Sequence, residues 1–522
     1  MRNLLFRLLV AALLSSVVCA LLFARAEEPK DEKGKKANQL GKTTGSPVYQ
    51  LLNVNNIASW FGANGNGSFP PSRTGDGFVY PRGTGSAMYE DGLMWGGKVY
   101  QDAARTRPGG QGQPIRIGGN EYNQGNQAGW IVGTGATAVA ADQNLPSVRI
   151  YRIRRDWNSM SEDEYKRDAG ESNEISPSAA TLDQIATVKL QYARDWDEWP
   201  VDKGAPYVER NGIPGYQKPK KLNYDPTSGP LFTADSLISG KYDEPGVAGA
   251  DVNLPADQVL WTAYNDLNRS LTTALYGSEP MGLECQVTLW GYKRTDAMGN
   301  CYFRRYRLIN KGGVVIDDAG TRGSFYIDSM YVCQWSDPDL GESGDDVVGC
   351  DTTMSLGYVY NGWPTDPEYA GYRLPPPSSG WDFMAGPVVP GKSTDSAVYN
   401  FKRVYGKKNL PMTGFAYFSS GSALSDPRPR TYSIGGMRWW KMLRGYAPQD
   451  GADVYYPFPP GITPGPFPLS GDPVTGKGFI DGLGQAYAMS PGDRRLLLNS
   501  GPFSLAPNDT NEIVVAVVTG MG

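Results

Sequence analysis

The residues best placed to do chemistry are carboxylates crowded into one glycine-broken stretch, Asp337-Pro338-Asp339-Leu340-Gly341-Glu342-Ser343-Gly344-Asp345-Asp346, with Asp351 five residues further on. Calcium takes roughly six to eight oxygen ligands at short range, and a loop carrying aspartates and free carbonyls can wrap around one ion. Asp337, Asp339, Asp345, Asp346 and Asp351 are therefore a candidate calcium loop. It is not an EF-hand: counted from Asp337, the sixth position is Glu342 where that motif needs glycine, and the twelfth is Val348 where it needs glutamate. A solvated turn whose aspartates cap local amides accounts for the same residues. Like charges at this density repel unless something neutralises them, which is the argument for an ion. Asp251-x-Asn253-x-x-x-Asp257 offers a sparser second set of oxygens that turn formation explains equally well.

Other chemistries are narrowed by composition. The 522 residues contain no histidine, which removes Ser-His-Asp and Cys-His nucleophiles, imidazole-bound zinc and copper, and any histidine base. Carboxylate, tyrosine or lysine chemistry and oxygen-ligated cations remain. Asp195, Asp197 and Glu198 lie close enough in sequence to suggest the two carboxyls about 5–10 Å apart that a glycosidase uses. Among 54 acidic residues, such a grouping arises by chance. Gly92-x-x-x-Gly96-Gly97 lacks the Gly-Lys-Ser/Thr ending of a phosphate loop and reads as a tight turn. The chain has 31 Tyr and 13 Trp, including Trp439-Trp440 and Tyr455-Tyr456-Pro457-Phe458-Pro459-Pro460. Exposed rings stack on sugars or partners, but rings in a β protein more often fill its core. On a strand the two adjacent tryptophans would face opposite sides.

The elements that must position these residues start behind a secretory leader. Arg2 and Arg7 precede the apolar run Leu8–Phe23 and a small-x-small site, Ala24-Arg25-Ala26, which predicts a signal peptide over 1–26. Residues 27–48 begin with the charged EEPKDEKGKK and read as a flexible leader. No later run approaches a membrane span. Loss of Arg2, Arg7 and Arg25 with the signal takes the formal charge from −4 to about −7, which argues against a nucleic-acid partner. In an oxidising compartment Cys285, Cys301, Cys333 and Cys350 could form two disulfides; four buried free thiols are the alternative.

With 65 glycines and 40 prolines scattered without a period, turns and long loops are abundant. Val148–Ile153 alternates apolar and basic residues, as a strand with one wet face does. Ala180–Trp196 has helical spacing, with Leu182, Ile185, Val188 and Leu190 near one face. Residues 200–280 read as loops around Gln258–Asp266, and 356–410 as loops again. Leu283–Lys293, Tyr302–Asn310 and Ser324–Trp335 predict an antiparallel meander, and Arg495–Leu498, Phe503–Leu505 and Glu512–Val518 predict closing strands. The expected fold is mainly β: antiparallel, sandwich-like sheets with long Gly/Pro-rich loops and one or two short helical insertions. The expected division is 49–280, β-rich with the helical insertion, and 281–522, antiparallel β.

Several segments resemble a large module that recurs in secreted proteins of bacteria using the type IX secretion system. They are Tyr80–Gly85 with Gly92–Lys98, Asp251-Val252-Asn253 with Tyr264-Asn265-Asp266, and Gln334–Gly341 running to Gly349–Thr352. Further on come Trp381-Asp382-Phe383 with Gly386-Pro387, Gly471-Asp472-Pro473, and Pro491–Arg495 with Gly501-Pro502-Phe503. The resemblance spans roughly 49–518 and implies an extracellular or cell-surface protein of unassigned activity. Such proteins usually continue into an immunoglobulin-like segment and a sorting domain, and the sequence reaches Gly520-Met521-Gly522 before either, which puts the route of export in doubt.

These observations together lead to the expectation of a secreted or cell-surface structural or adhesion-type protein, stabilised by calcium and without catalytic activity. Surface polysaccharide, other envelope proteins or copies of itself are the expected partners. The alternatives are a carbohydrate-binding or carboxylate-dependent glycan-hydrolysing protein, and a subunit of an extracellular filament or sheath.

Overall fold

Runs such as Leu496-Leu497-Leu498 and Ile513-Val514-Val515 are extended, because alternate side chains of a strand leave on opposite faces and can be buried against two layers. In the computed structural model, residues 48–73, 77–206, 256–400, 402–420, 424–482 and 490–521 are described. Their strands build two large sheets. The larger has nine strands, in the spatial order Tyr151–Arg154, Gln258–Asn265, Leu283–Gly291, Cys301–Asn310, Thr510–Met521, Pro377–Ala385, Leu356–Asn361 and Asp346–Asp351, with Gln127–Ala128 joining beside Gln258–Asn265. The smaller has five, in the order Gly414–Ser419, Arg494–Leu505, Tyr326–Asp337, Glu90–Tyr100 and Ile115–Gly119. Their neighbours are antiparallel throughout. One continuous apolar core takes Trp95, Val332 and Leu497 from the smaller sheet and Leu289, Tyr306 and Val517 from the larger. This is the mainly β, sandwich-like fold the sequence leads one to expect.

The pairing within it differs from the expected meander. Leu283–Gly291 and Cys301–Asn310 do form a hairpin, but the free side of that hairpin is taken by Thr510–Met521. Tyr326–Asp337 instead pairs with Glu90–Tyr100 and Arg494–Leu505 in the other sheet. The first pairing joins strands that follow one another in the chain, whereas the others depend on contacts between residues far apart in sequence. Gln258–Asn265 and Leu283–Gly291 are hydrogen-bonded neighbours, so the regions on either side of residue 280 share a sheet. The signal and leader expected over 1–26 and 27–48 fall, apart from Val48, outside the described residues.

Several local expectations are corrected. The glycines at 92, 96 and 97 lie inside the strand Glu90–Tyr100 and not in a turn; a Cβ at Gly96 would sit 2.6 Å from Leu443 Cδ1, and one at Gly92 2.8 Å from Asn120 Cβ. Residues 356–410, expected as loops, supply Leu356–Asn361 and Pro377–Ala385 to the larger sheet. Arg269–Tyr276 is a helix where only Gln258–Asp266 was expected to be regular. Among the described residues the four cysteines, Cys285, Cys301, Cys333 and Cys350, are free and buried, contrary to the two expected disulfides. Cys285 faces Leu308, Cys301 faces Val518, Cys333 lies between Met94 and Asn499, and Cys350 faces Gly357, so none is a register partner of another. Burial pushes each thiol above its ordinary range, that of Cys301 to about 11.

The helical insertion is a pair, Glu162–Ser172 and Leu182–Asp197, each started by a capping box, Ser161 with Glu164 and Thr181 with Gln184. The second helix buries Ile185, Val188, Tyr192, Asp195 and Trp196, while Leu182 and Leu190 are 78% and 71% exposed, against expectation. The strand Tyr151–Arg154 also lacks the expected wet face. Arg149, Arg152 and Arg154 are buried beneath the helices and paired with their carboxylates: Arg149 with Asp195, Arg152 with Asp168 at 2.6 Å and Arg154 with Glu164 at 3.2 Å.

Candidate cation site at the end of the smaller sheet

Tyr326–Asp337 and Arg494–Leu505 run antiparallel with Ser336 opposite Leu496, so the end of one strand lies beside the start of the other. This register sets Asp337 next to Arg495 and brings in Asp493, which directly precedes the second strand. Asp339 follows two residues after Asp337. One carboxylate oxygen from each of Asp337, Asp339 and Asp493 lies within 4.8 Å of the other two; Asp337 is buried, and Asp339 and Asp493 are half-buried.

Arg495 spans the group. Its Nε is 3.0 Å from Asp337 Oδ1 but donates its hydrogen to Tyr122 Oη at 2.8 Å, and Nη1 donates to Asp493. Asp337 Oδ1 therefore receives no hydrogen bond although it is buried. The ring of Tyr122 stands edge-on to Trp335 with centroids 4.9 Å apart, which anchors the hydroxyl.

Charge is unbalanced around this point. Burial holds the Asp337 carboxyl well above its usual range, with Asp339, Asp493 and Asp426 adding repulsion and Arg495 opposing it. Glu121, also buried, is pushed up to about 8 by burial and then by Asp426, against Arg430, Arg428 and Arg495. Burial raises Asp426 as well. The carboxyls of Glu121, Asp337, Asp339, Asp426 and Asp493 outnumber the guanidiniums of Arg428, Arg430 and Arg495, and the crowding is relieved by protons that Glu121 and Asp337 hold above the usual carboxylate range. A cation would take the place of those protons, and an all-oxygen donor set suits a hard ion.

Of the five aspartates expected to bind calcium, the structure brings Asp337 and Asp339 into the cluster. Asp346 lies beside them: fully buried, its Oδ2 accepts from Leu340 N at 3.2 Å, its Oδ1 has no hydrogen bond, and its carboxyl is raised by burial and then by the charge of Asp339. Asp345 and Asp351 are elsewhere. Asp345 accepts from Asn361 Nδ2 at 3.1 Å and is raised to about 6, chiefly by burial. Asp351 caps a turn, accepting from Thr353 N at 2.8 Å, Thr353 Oγ1 at 2.6 Å and Met354 N at 3.2 Å. The third member, Asp493, lies far along the chain in Pro491-Gly492-Asp493-Arg494-Arg495, and nothing in its local sequence marks it as a ligand.

The other candidates resolve into structural roles. Asp195 accepts from Arg149 and from Arg152 N at 2.8 Å, and Glu198 accepts from Arg149 Nη2 at 2.7 Å, which ties a helix to the sheet. Asp251 and Asn253 lie outside the described residues, while Asp257 accepts from Lys293 N at 2.7 Å. Trp439 and Trp440 sit on a short helix, Met437–Met442, and both are buried. Among the described residues no helix is long and apolar enough to cross a membrane. Comparison with known proteins finds no matching family model and no matching curated protein.

Proposed function

We propose that this protein is an exported, surface-located scaffold of the structural or adhesion type, related to the type IX-associated modules it resembles, whose sheet-end loops are held by calcium at Asp337, Asp339 and Asp493. The observation that carries this reading is the meeting of three carboxylates from two distant segments, with a buried oxygen of Asp337 that no hydrogen reaches. Burial of Asp337 and Glu121 favours holding an ion over attacking a glycan, which needs carboxyls open to substrate. Other ionisable side chains are spent on architecture: Arg304 holds Asp91 at 2.5 Å, Arg494 holds Asp481 at 2.8 Å, and all four groups are buried. Calcium is favoured over magnesium because its flexible, higher coordination accepts carboxylates presented by loops.

An ion that binds only the folded state stabilises it by about 2.7 kcal/mol at a hundredfold excess over its Kd. Millimolar calcium should therefore raise the Tm by a few degrees and a chelator should lower it. Asp339→Asn should flatten both responses, since it removes one charge without changing shape. An unchanged Tm in calcium and in chelator would overturn the assignment.

A further inference from the structure

A cavity of about 230 Å³ lies where the first helix of the pair meets the end of the Leu283–Gly291 hairpin, and it shares no residue with the acidic cluster. Helix Glu162–Ser172 contributes Glu164 and Arg167 to its lining, the strand Tyr151–Arg154 contributes Arg154, and the chain beyond Gly291 contributes Lys293, Arg294 and Thr295. Arg82 closes another side. Five cations thus line the space against one carboxylate.

Four of the cations hold carboxylates. Arg82 grips Glu171 through Nε and Nη2 at 2.6 and 2.7 Å, and Arg154 grips Asp156 at 2.6 and 3.1 Å. Lys293 Nζ bridges Asp156 and Glu164 at 2.9 and 2.6 Å, and Arg294 Nε lies 3.0 Å from Asp296. These bonds leave donors to spare, because a guanidinium carries five N–H groups and each fork uses two or three. The fifth cation, Arg167, is exposed, and among the described residues it has neither an ion pair nor a hydrogen bond. Glu164, Glu171, Asp156 and Asp296 partner four of the five cations, and Asp257 also acts on Arg294, so Arg167 is the one lining cation that no carboxylate holds among the described residues.

A single unpartnered guanidinium matches a monoanion better than a phosphate ester, which carries close to two charges at neutral pH. The volume is below the range of about 300–1,000 Å³ that holds drug-sized ligands, and it suits a monosaccharide. A planar carboxylate fits the guanidinium fork of Arg167, and the Thr295 hydroxyl can serve as donor or acceptor to a ring hydroxyl. We infer that this cavity binds a singly charged sugar acid of the uronate class, with Arg167 as its carboxylate anchor. The inference does not depend on the cation site, so either can fail without the other.

Calorimetric titration of the folded protein with D-galacturonate, D-galactose and inorganic sulfate tests it. Galacturonate should bind, galactose and sulfate should each bind at least about tenfold more weakly, and 0.5 M salt should weaken galacturonate binding. Arg167→Gln should reduce galacturonate affinity about tenfold at an unchanged Tm, because this side chain is exposed and makes no bond that supports the fold. Thr295→Ala should reduce it less. Failure of galacturonate to bind, equal binding of galactose or of sulfate, or undiminished binding by Arg167→Gln would overturn the proposal.

Discussion

Glu121 is buried beside Asp426, and its carboxyl is raised from 4.5 to about 8, by burial first. A carboxyl whose folded pKa lies above its unfolded one holds its proton more tightly when folded. Its contribution to stability is therefore complete below about 4.5 and is lost as the pH rises through 8. Glu121→Gln keeps the shape and cannot ionise, so it should gain on the wild type by up to about 5 kcal/mol between those limits. Denaturant midpoints at pH 4 and pH 9 check this, and an offset that is equal at both would refute it. At this scale the sequence was partly legible. Asp337 and Asp339 stand out because five aspartates crowd one short stretch, whereas Asp493 and Glu121 look like any of the other acidic residues. Asp351 shows the converse, since a dense acidic run also produces ordinary turn caps.

The helical pair illustrates what an element can hide. The helix Leu182–Asp197 follows from its 3.6-residue spacing, whereas its partner Glu162–Ser172 escaped the sequence reading, although Ser161-x-x-Glu164 is the capping-box signal that marks its start. The role of both helices was not, because the three arginines of the neighbouring strand segment look solvent-facing until the helices are laid over them. Arg152 is fully buried, bonded through Nη2 to Asn53 Oδ1 and Asp168 Oδ1, each at 2.6 Å, while Tyr192 Oη donates to Asp168 Oδ2 at 2.9 Å. Asp168→Ala strands that guanidinium without a counter-charge and should cost about 3–5 kcal/mol, whereas the double variant with Arg152→Met should recover part of the loss. Urea midpoints of the single and double variants measure this, together with amide exchange over 162–197, which should speed up most in the single variant. A loss below about 1 kcal/mol would mean that the helices are held mainly by apolar contacts such as those of Ile185 and Val188.

Across the whole molecule, the last two strands lock the sheets together. Arg494–Leu505 is an inner strand of the smaller sheet, and Thr510–Met521, one turn later, lies in the larger between Cys301–Asn310 and Pro377–Ala385. The connection passes through Asn508, whose φ of 67° suits asparagine. Deleting residues 507–522 exposes the edges of both neighbours and should abolish cooperative thermal unfolding, as read by near-ultraviolet circular dichroism. A cooperative transition in the truncated chain would show that the larger sheet closes without this strand. Composition and local spacing were sufficient to determine that the chain is rich in antiparallel strands, that a helix interrupts them, and that imidazole chemistry is excluded. These properties are set within a window of about ten residues or by simple counting. The tertiary structure alone decided that Tyr326–Asp337 leaves the hairpin before it for the other sheet, that three arginines are buried, and that Asp493 joins Asp337 and Asp339. Each of these joins segments far apart in the chain, and the free energy of such a contact depends on everything else packed around it.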